Sequence, residues 1–234
     1  MADVPAKMAP PALAAERAKT CTLSFTAGYV DTAVFVGLFG LFTAHVTGNF
    51  VLIGSELVHR SGDVWPKLLA FPAFILAVAA AVKVAEALER KHKARVPTLL
   101  YIEAALLLAA FAAVELRHPA QATDAAAVGG GMMAAAAMGM QNAMMRIELA
   151  SLPSTTVMTM NVTQSVIDVV VLLSGNVEAA RRTEARKRFS RMWPQILAFT
   201  AGAAGGALCY ALAGFAALLL PSVLCFVLGA LWPR

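Results

Sequence analysis

Apolar residues come in long blocks along this chain, at 20–41, 65–88, 96–115, 125–145, 193–213 and 215–232, with short polar or basic connectors between them. Each block approaches the roughly 20 residues that a helix needs to cross a hydrocarbon layer about 30 Å thick. No block alternates polar and apolar residues at the period of a strand. A bilayer also offers an isolated backbone no water to bond, so each block is predicted to be a crossing helix. Two further stretches are too polar for that description. Residues 43–58 open with Thr43-Ala44-His45-Val46-Thr47-Gly48-Asn49 and close through Gly54, Ser55 and Glu56. Residues 154–173 hold Thr155, Thr156, Thr159, Asn161, Thr163, Gln164, Ser165 and Asp168. Polarity of this density is costly against lipid and suits short broken or re-entrant segments buried among other helices. The predicted fold is an all-α polytopic membrane protein: six full transmembrane helices plus two short broken or re-entrant segments.

Composition agrees. The 234 residues are 59% hydrophobic and 14% charged, with a mean hydropathy of +0.71, which is too little charge to cover a water-soluble globule of this size. That excludes a soluble enzyme or a nucleic-acid-binding domain. The net charge of +5 is a matter of orientation, because the basic residues gather in the N-terminal tail and two connectors. Arg90, Lys91, Lys93 and Arg95 crowd one connector, and Arg181, Arg182, Arg186, Lys187, Arg188 and Arg191 crowd the other. If all eight segments crossed, these connectors would face opposite sides. If the two polar segments enter and leave on one side, both connectors are cytoplasmic, together with Lys7, Arg17, Lys19 and Arg234. The second topology is the expected one, with both termini cytoplasmic in a plasma membrane. It leaves Arg60 and Lys67 outside, next to Asp63.

The chain also repeats itself. Trp65-Pro66-Lys67-Leu68-Leu69-Ala70-Phe71 matches Trp193-Pro194-Gln195-Ile196-Leu197-Ala198-Phe199 at an offset of 128 positions. Gly28-Tyr29-Val30-Asp31 parallels Gly139-Met140-Gln141-Asn142 at an offset of 111, and Val46-Thr47-Gly48-Asn49 parallels Val162-Thr163-Gln164-Ser165 at an offset of 116. The expected organisation is a cytoplasmic tail (1–19), a first membrane repeat (20–116), a short external connector (117–124) and a second repeat (125–234) with a basic cytoplasmic connector at 175–192. Three crossings per half would make the repeat inverted, the arrangement of many secondary transporters with a solute site near the midplane.

Asp31 lies roughly 16 Å into the first block, about halfway across the hydrocarbon. A carboxylate there needs a partner, and it reads equally as a proton- or cation-coupling group or as a helix-tying one. His45 is a candidate partner. Thr47, Gly48 and Asn49 can interrupt a helix and cap the next one, with N–H groups that would attract an anion or steady Asp31. Asn142 keeps the hydrogen bonding of Asp31 without its charge. Thr163 and Gln164 offer a second polar break, with Asp168 beside it. Glu103 is a relay or helix-tying group, Glu56 is interfacial, and Lys83 and Glu86 form a snorkelling pair. Gly202 and Gly206 permit close helix approach, within the chain or in a homodimer, and intrachain packing is expected. Cys21, Cys209 and Cys225 and the four histidines lack metal-ligand spacing, so no metal site is expected.

Gly28-Tyr29-Val30-Asp31, Thr43 through Asn49, and Gly139-Met140-Gln141-Asn142-Ala143 together resemble the YoaK-like family of bacterial integral membrane proteins (domain of unknown function 1275). The resemblance spans most of the chain after the tail and implies a polytopic inner-membrane protein without a known substrate. Family patterns carry a Thr-Gly pair in the second half as well, where this chain has Gln164. No nucleophile–base constellation, cofactor motif or nucleic-acid surface is present, so the chain is not expected to be an enzyme. The expected function is a small-solute transporter or permease whose central polar site holds Asp31, Thr47, Gly48, Asn49, Asn142, Thr163, Gln164 and Asp168. The alternative is a non-transporting membrane scaffold or partner-binding protein.

Overall fold

A computed structural model describes residues 10–59 and 64–233, with side chains from residue 14 onward. Arg60, Ser61, Asp63, Lys7 and Arg234 lie outside the described residues. The described chain is helical throughout, in the order α1 (Pro10–Gly37), α2 (Gly48–His59), α3 (Val64–Arg90), α4 (Arg95–Glu115), α5 (Ala125–Ile147), α6 (Met158–Leu173), α7 (Ala179–Ala213) and α8 (Leu219–Ala230). A 3₁₀ turn, Gly214–Leu218, joins α7 to α8.

Blocks 65–88, 96–115 and 125–145 end within about two residues of α3, α4 and α5. Elsewhere the structure redraws the boundaries. Helix α1 starts at Pro10, so the end of the expected tail forms its first turns. The basic connector 175–192 is helical from Ala179, and α7 runs 35 residues as a result. The last block divides into the 3₁₀ turn and a helix of 12 residues. Among the described residues, Val64–Arg90, Arg95–Glu115 and the continuous stretch Ala179–Ala230 are long and apolar enough to cross a membrane. Helices α1 and α5 are also long, 28 and 23 residues, but carry more polar and small side chains. Burial explains the difference: from Leu23 to Val34, and along most of α5, the side chains face other helices and need not be lipid-soluble. Helices α2 and α6, at 12 and 16 residues, span only about 18 and 24 Å and start after non-helical breaks.

Helix α1 packs chiefly on α7, and α5 packs chiefly on α3 and α4. The first of these contacts is backbone on backbone. A methyl group added to Gly202 would fall on the carbonyl oxygen of Phe25, one on Gly206 on that of Tyr29, and one on Gly28 on that of Phe199. The Gly-x-x-x-Gly pair is thus spent inside the chain, the closer approach replacing side-chain bulk with van der Waals contact. Gly139 does the same for α5 against the Phe74 carbonyl of α3. Around these crossings Val30, Val34, Leu107, Met138 and Leu218 form one core, and Leu99, Leu100 and Met144 part of a second. The ends of distant helices meet at one end of the bundle, where Lys19 lies 4.5 Å from the Trp232 ring and Arg95 Nε lies 3.2 Å from Glu148.

Gly202→Ala is expected to force the α1–α7 pair apart and lower stability by roughly 1–3 kcal/mol, the usual cost of overpacking. Gly54→Ala, where an added methyl meets nothing within 4 Å, should be neutral or slightly stabilising. Thermal unfolding of the two purified variants in detergent reads the difference; equal midpoints would contradict the packing described.

Candidate functional site: two broken segments

The first break, residues 38–47, follows α1 through two left-handed residues, Phe39 at φ 54° and Gly40 at φ 76°. It then folds back on α1. Asp31, 4% exposed, receives the backbone N–H groups of Thr43 and Ala44 at 2.7 Å each and the Thr43 hydroxyl at 3.2 Å, all on Oδ1. Its Oδ2 lies 2.6 Å from His45 Nδ1. Asn49 closes the loop from the other end: its amide donates to the Phe42 carbonyl at 2.9 Å, and its carbonyl accepts the Phe42 N–H at 3.0 Å. Gly48 is needed for space, since an added Cβ would meet the Phe42 ring at 3.0 Å. Phe42 packs against Phe35 with centroids 4.6 Å apart and the rings tilted by 34°, and His45 meets Phe199 of α7 edge-on at 5.6 Å. This break is filled. Asp31 ties the loop back onto α1, with both of its carboxylate oxygens in hydrogen bonds within the chain.

The second break, residues 148–157, uses the same devices with different chemistry. Asn161 donates to the Ser154 carbonyl at 2.7 Å, seven residues back, the separation between Asn49 and Phe42. Asn142 accepts the Thr156 hydroxyl at 2.6 Å and donates to Met138 O at 2.9 Å. Gln141, fully buried, donates to the Thr155 hydroxyl at 2.8 Å and to the Leu23 carbonyl of α1 at 3.0 Å. The Ser154 hydroxyl accepts the Val157 N–H at 3.1 Å. The parallel drawn from sequence between Val46–Asn49 and Val162–Ser165 is therefore out by about one helical turn. The residue that corresponds to Asn49 is Asn161, and Thr43-x-x-x-Thr47-x-Asn49 recurs as Thr155-x-x-x-Thr159-x-Asn161 at a constant offset of 112. That pattern was the signal available in the sequence.

A cavity of about 530 Å³ opens against this second break, lined among others by Asn142, Arg146, Ser154, Thr159, Thr163 and Gln164. No residue of the first break lines it. The eight candidate residues thus divide between two places. Asp31, Gly48 and Asn49 build the first break, whereas Asn142, Thr163 and Gln164 border the cavity. Thr47 is exposed, with its side chain in no hydrogen bond among the described residues. Asp168 is fully buried behind Gln164, which donates to it at 3.1 Å, and receives Arg188 of α7 at 2.6 and 3.3 Å. In the first half Glu56, seven residues after Asn49 as Asp168 is seven after Asn161, pairs with Lys67 of α3 at 2.6 Å. Lys67 Nζ also donates to the Phe39 carbonyl at 3.0 Å. Each short helix is thus pinned to the long helix after it by one acid–base pair. Sequence reading missed the site roles of Gln141, Asn161, Lys67 and Arg188, because their partners lie on other elements or in a different register, and that of Arg146, which has no such partner among the described residues.

Glu103 sits fully buried in α4 with neither carboxyl oxygen hydrogen-bonded among the described residues. Lys83 and Glu86 form the expected exposed pair at 3.0 Å. No group of three or more His, Cys, Asp or Glu that could hold a metal is found among the described residues.

Helices of this length and apolarity, with two breaks among them, define a membrane-embedded helical protein. The sequence profile of a protein family of unknown function, DUF1275, matches residues 20–231, and the chain belongs to that family. No curated protein and no solved structure matches the chain.

Asp31→Asn keeps size but removes the charge that two backbone N–H groups and His45 share, and is expected to cost on the order of 3 kcal/mol. Asp168→Asn should loosen α6 from α7 by a similar amount. Thermal unfolding checks both; a change below about 0.5 kcal/mol for Asp31→Asn would show that the first break does not depend on it.

Proposed function

We propose that this protein is a small-solute transporter of the bacterial plasma membrane. The observation that carries the reading is the pairing of two short helices, each starting inside the bundle after a broken backbone, with a polar-lined cavity at one of them. Irregular backbone at membrane depth is tolerated where protein buries it or where it borders a wet space, and transporters place their solute sites at such interruptions. In this reading the molecule has six crossings and two re-entrant segments, its halves face opposite ways, and both termini are cytoplasmic. The meeting of Lys19 with Trp232 and of Arg95 with Glu148 supports placing these basic ends on one side. Lys67, one of the two basic residues that this topology puts outside, is paired with Glu56. The solute enters at the second break. At the first, proton exchange runs through His45, whose side chain is 39% exposed, with Asp31 as its fixed partner.

A scaffold role is favoured by one feature, the hydrogen bonding of both Asp31 oxygens within the chain. It predicts that Asp31→Asn affects folding alone and that activity maps to the basic part of α7.

Two measurements test the proposal. A cysteine introduced at Ser61 should react with an impermeant reagent from outside and one at Ala94 from inside; same-side reaction would reject the topology. Purified protein in liposomes should accelerate equilibration of at least one solute in a panel of small anions, cations and neutral metabolites, and His45→Gln should remove any stimulation by a pH gradient. Absence of flux across the whole panel would favour the scaffold.

A further inference from the structure

We infer that the cavity at the second break is a binding site for a small organic monoanion, a carboxylate with a short apolar tail. The inference rests on the transport reading for its physiological meaning, but the site stands on its own chemistry. The two breaks share their hydrogen-bonding plan and differ in what fills them. At the first, α1 contributes Asp31 and Phe35, and the loop contributes Phe42; the acid receives N–H groups of the loop and the two tilted rings pack together beside it. The corresponding residues of the second half, 111 positions on in α5 and 112 on in the loop, are Asn142, Arg146 and Ser154. An acid becomes an amide, one ring becomes a guanidinium, the other a hydroxyl. Where the first break is stoppered, the second is hollow and lined by those three residues.

The lining sets the ligand class. None of the lining residues is acidic, and its one charged member is Arg146. Among the described residues Arg146 has no carboxylate or carbonyl partner, whereas Arg95 and Arg188 are both paired. Beside it the Thr159 and Ser154 hydroxyls donate to no group among the described residues, whereas Thr163 donates to the Thr159 carbonyl at 2.9 Å and Gln164 to Asp168 at 3.1 Å. The start of α6 adds to the same bias. At α2 the N–H groups of Gly48, Asn49 and Phe50 are taken by the carbonyls of His45, Val46 and Thr47, but no comparable backbone acceptors serve the first N–H groups of α6. A planar guanidinium among neutral donors suits a carboxylate better than a cation or a zwitterion. The rest of the wall is Met145, Met160, Met192, Leu152, Pro153 and Val157, pliable apolar surface for a short hydrocarbon tail.

The test uses the full chain in detergent, with hexanoate and the uncharged hexanamide as probes, read by titration calorimetry. Hexanoate should bind saturably and hexanamide about tenfold or more weakly, the difference that one charge-assisted hydrogen bond makes. Arg146→Gln should reduce hexanoate to the hexanamide level while its thermal midpoint stays near wild type, because the side chain supports no other group. Equal binding of the two probes, or undiminished hexanoate binding in Arg146→Gln, would overturn the inference. So would binding confined to phosphatidylglycerol added in mixed micelles, which would make Arg146 a headgroup anchor. Carboxylate binding without flux in liposomes would sink the transport reading and leave this site standing. Flux of other solutes without carboxylate binding would do the reverse.

Discussion

Everything in this structure follows from the cost of an unpaired backbone group away from water. A helix crossing a bilayer satisfies its own N–H and C=O groups, and a break in it frees several at once, each costing about 1–3 kcal/mol if left bare. The side chains that look most out of place in the sequence are the ones that answer this cost. Asp31 takes the Thr43 and Ala44 N–H groups, Asn49 takes both polar groups of Phe42, and Lys67 reaches back to the Phe39 carbonyl. In the second half the Ser154 hydroxyl takes the Val157 N–H and Asn161 the Ser154 carbonyl, while Asn142 and Gln141 bond the loop's threonine hydroxyls. A buried carboxylate in α1 is therefore part of how a loop exists at that depth.

Short helices raise a second difficulty. At 12 and 16 residues, α2 and α6 have little surface to bury, and much of what they have is exposed in the isolated chain. Nothing comparable to the α1–α7 glycine crossing holds them. Each instead carries one acid two turns after its asparagine and pairs it with a cation of the next long helix. In a low-dielectric setting, losing either partner would leave an uncompensated charge, so these pairs position the short helices firmly even where their net contribution to stability is small.

Much of this was legible in the sequence. The membrane class came from block lengths, the two breaks from clustered threonine, asparagine and glutamine, and the cores of α3, α4 and α5 from unbroken apolar runs. That Gly202 and Gly206 permit a close helix approach was also readable from their spacing, which fits a contact within the chain or in a dimer. What escaped was register and partnership. Alanine and valine are so common here that Val162-Thr163 passed for the counterpart of Val46-Thr47, when the informative match was the asparagine with a threonine two and six positions before it. The basic stretch before Trp193 looked like a connector because its charges mark orientation, yet arginine and lysine are good helix formers and α7 extends through them. Arg188 was counted as one more orienting charge, although it lies twenty positions from Asp168 and holds it in place. Periodicity names the face of a helix; it does not name the residue opposite.

Separating the breaks resolves a conflict in the chemistry of the candidate residues. Had Asp31 shared a site with an exposed helix start, its charge would have opposed any anion drawn there. The two features belong to different breaks: the carboxylate is in the first, screened by two N–H groups, a hydroxyl and an imidazole, while the open helix start and the lone guanidinium are in the second. Both breaks place an asparagine amide on a carbonyl seven residues back, and the side chains around that shared bond differ. At the first break they are rings that close the gap; at the second a hydroxyl and a cation border a cavity of about 530 Å³.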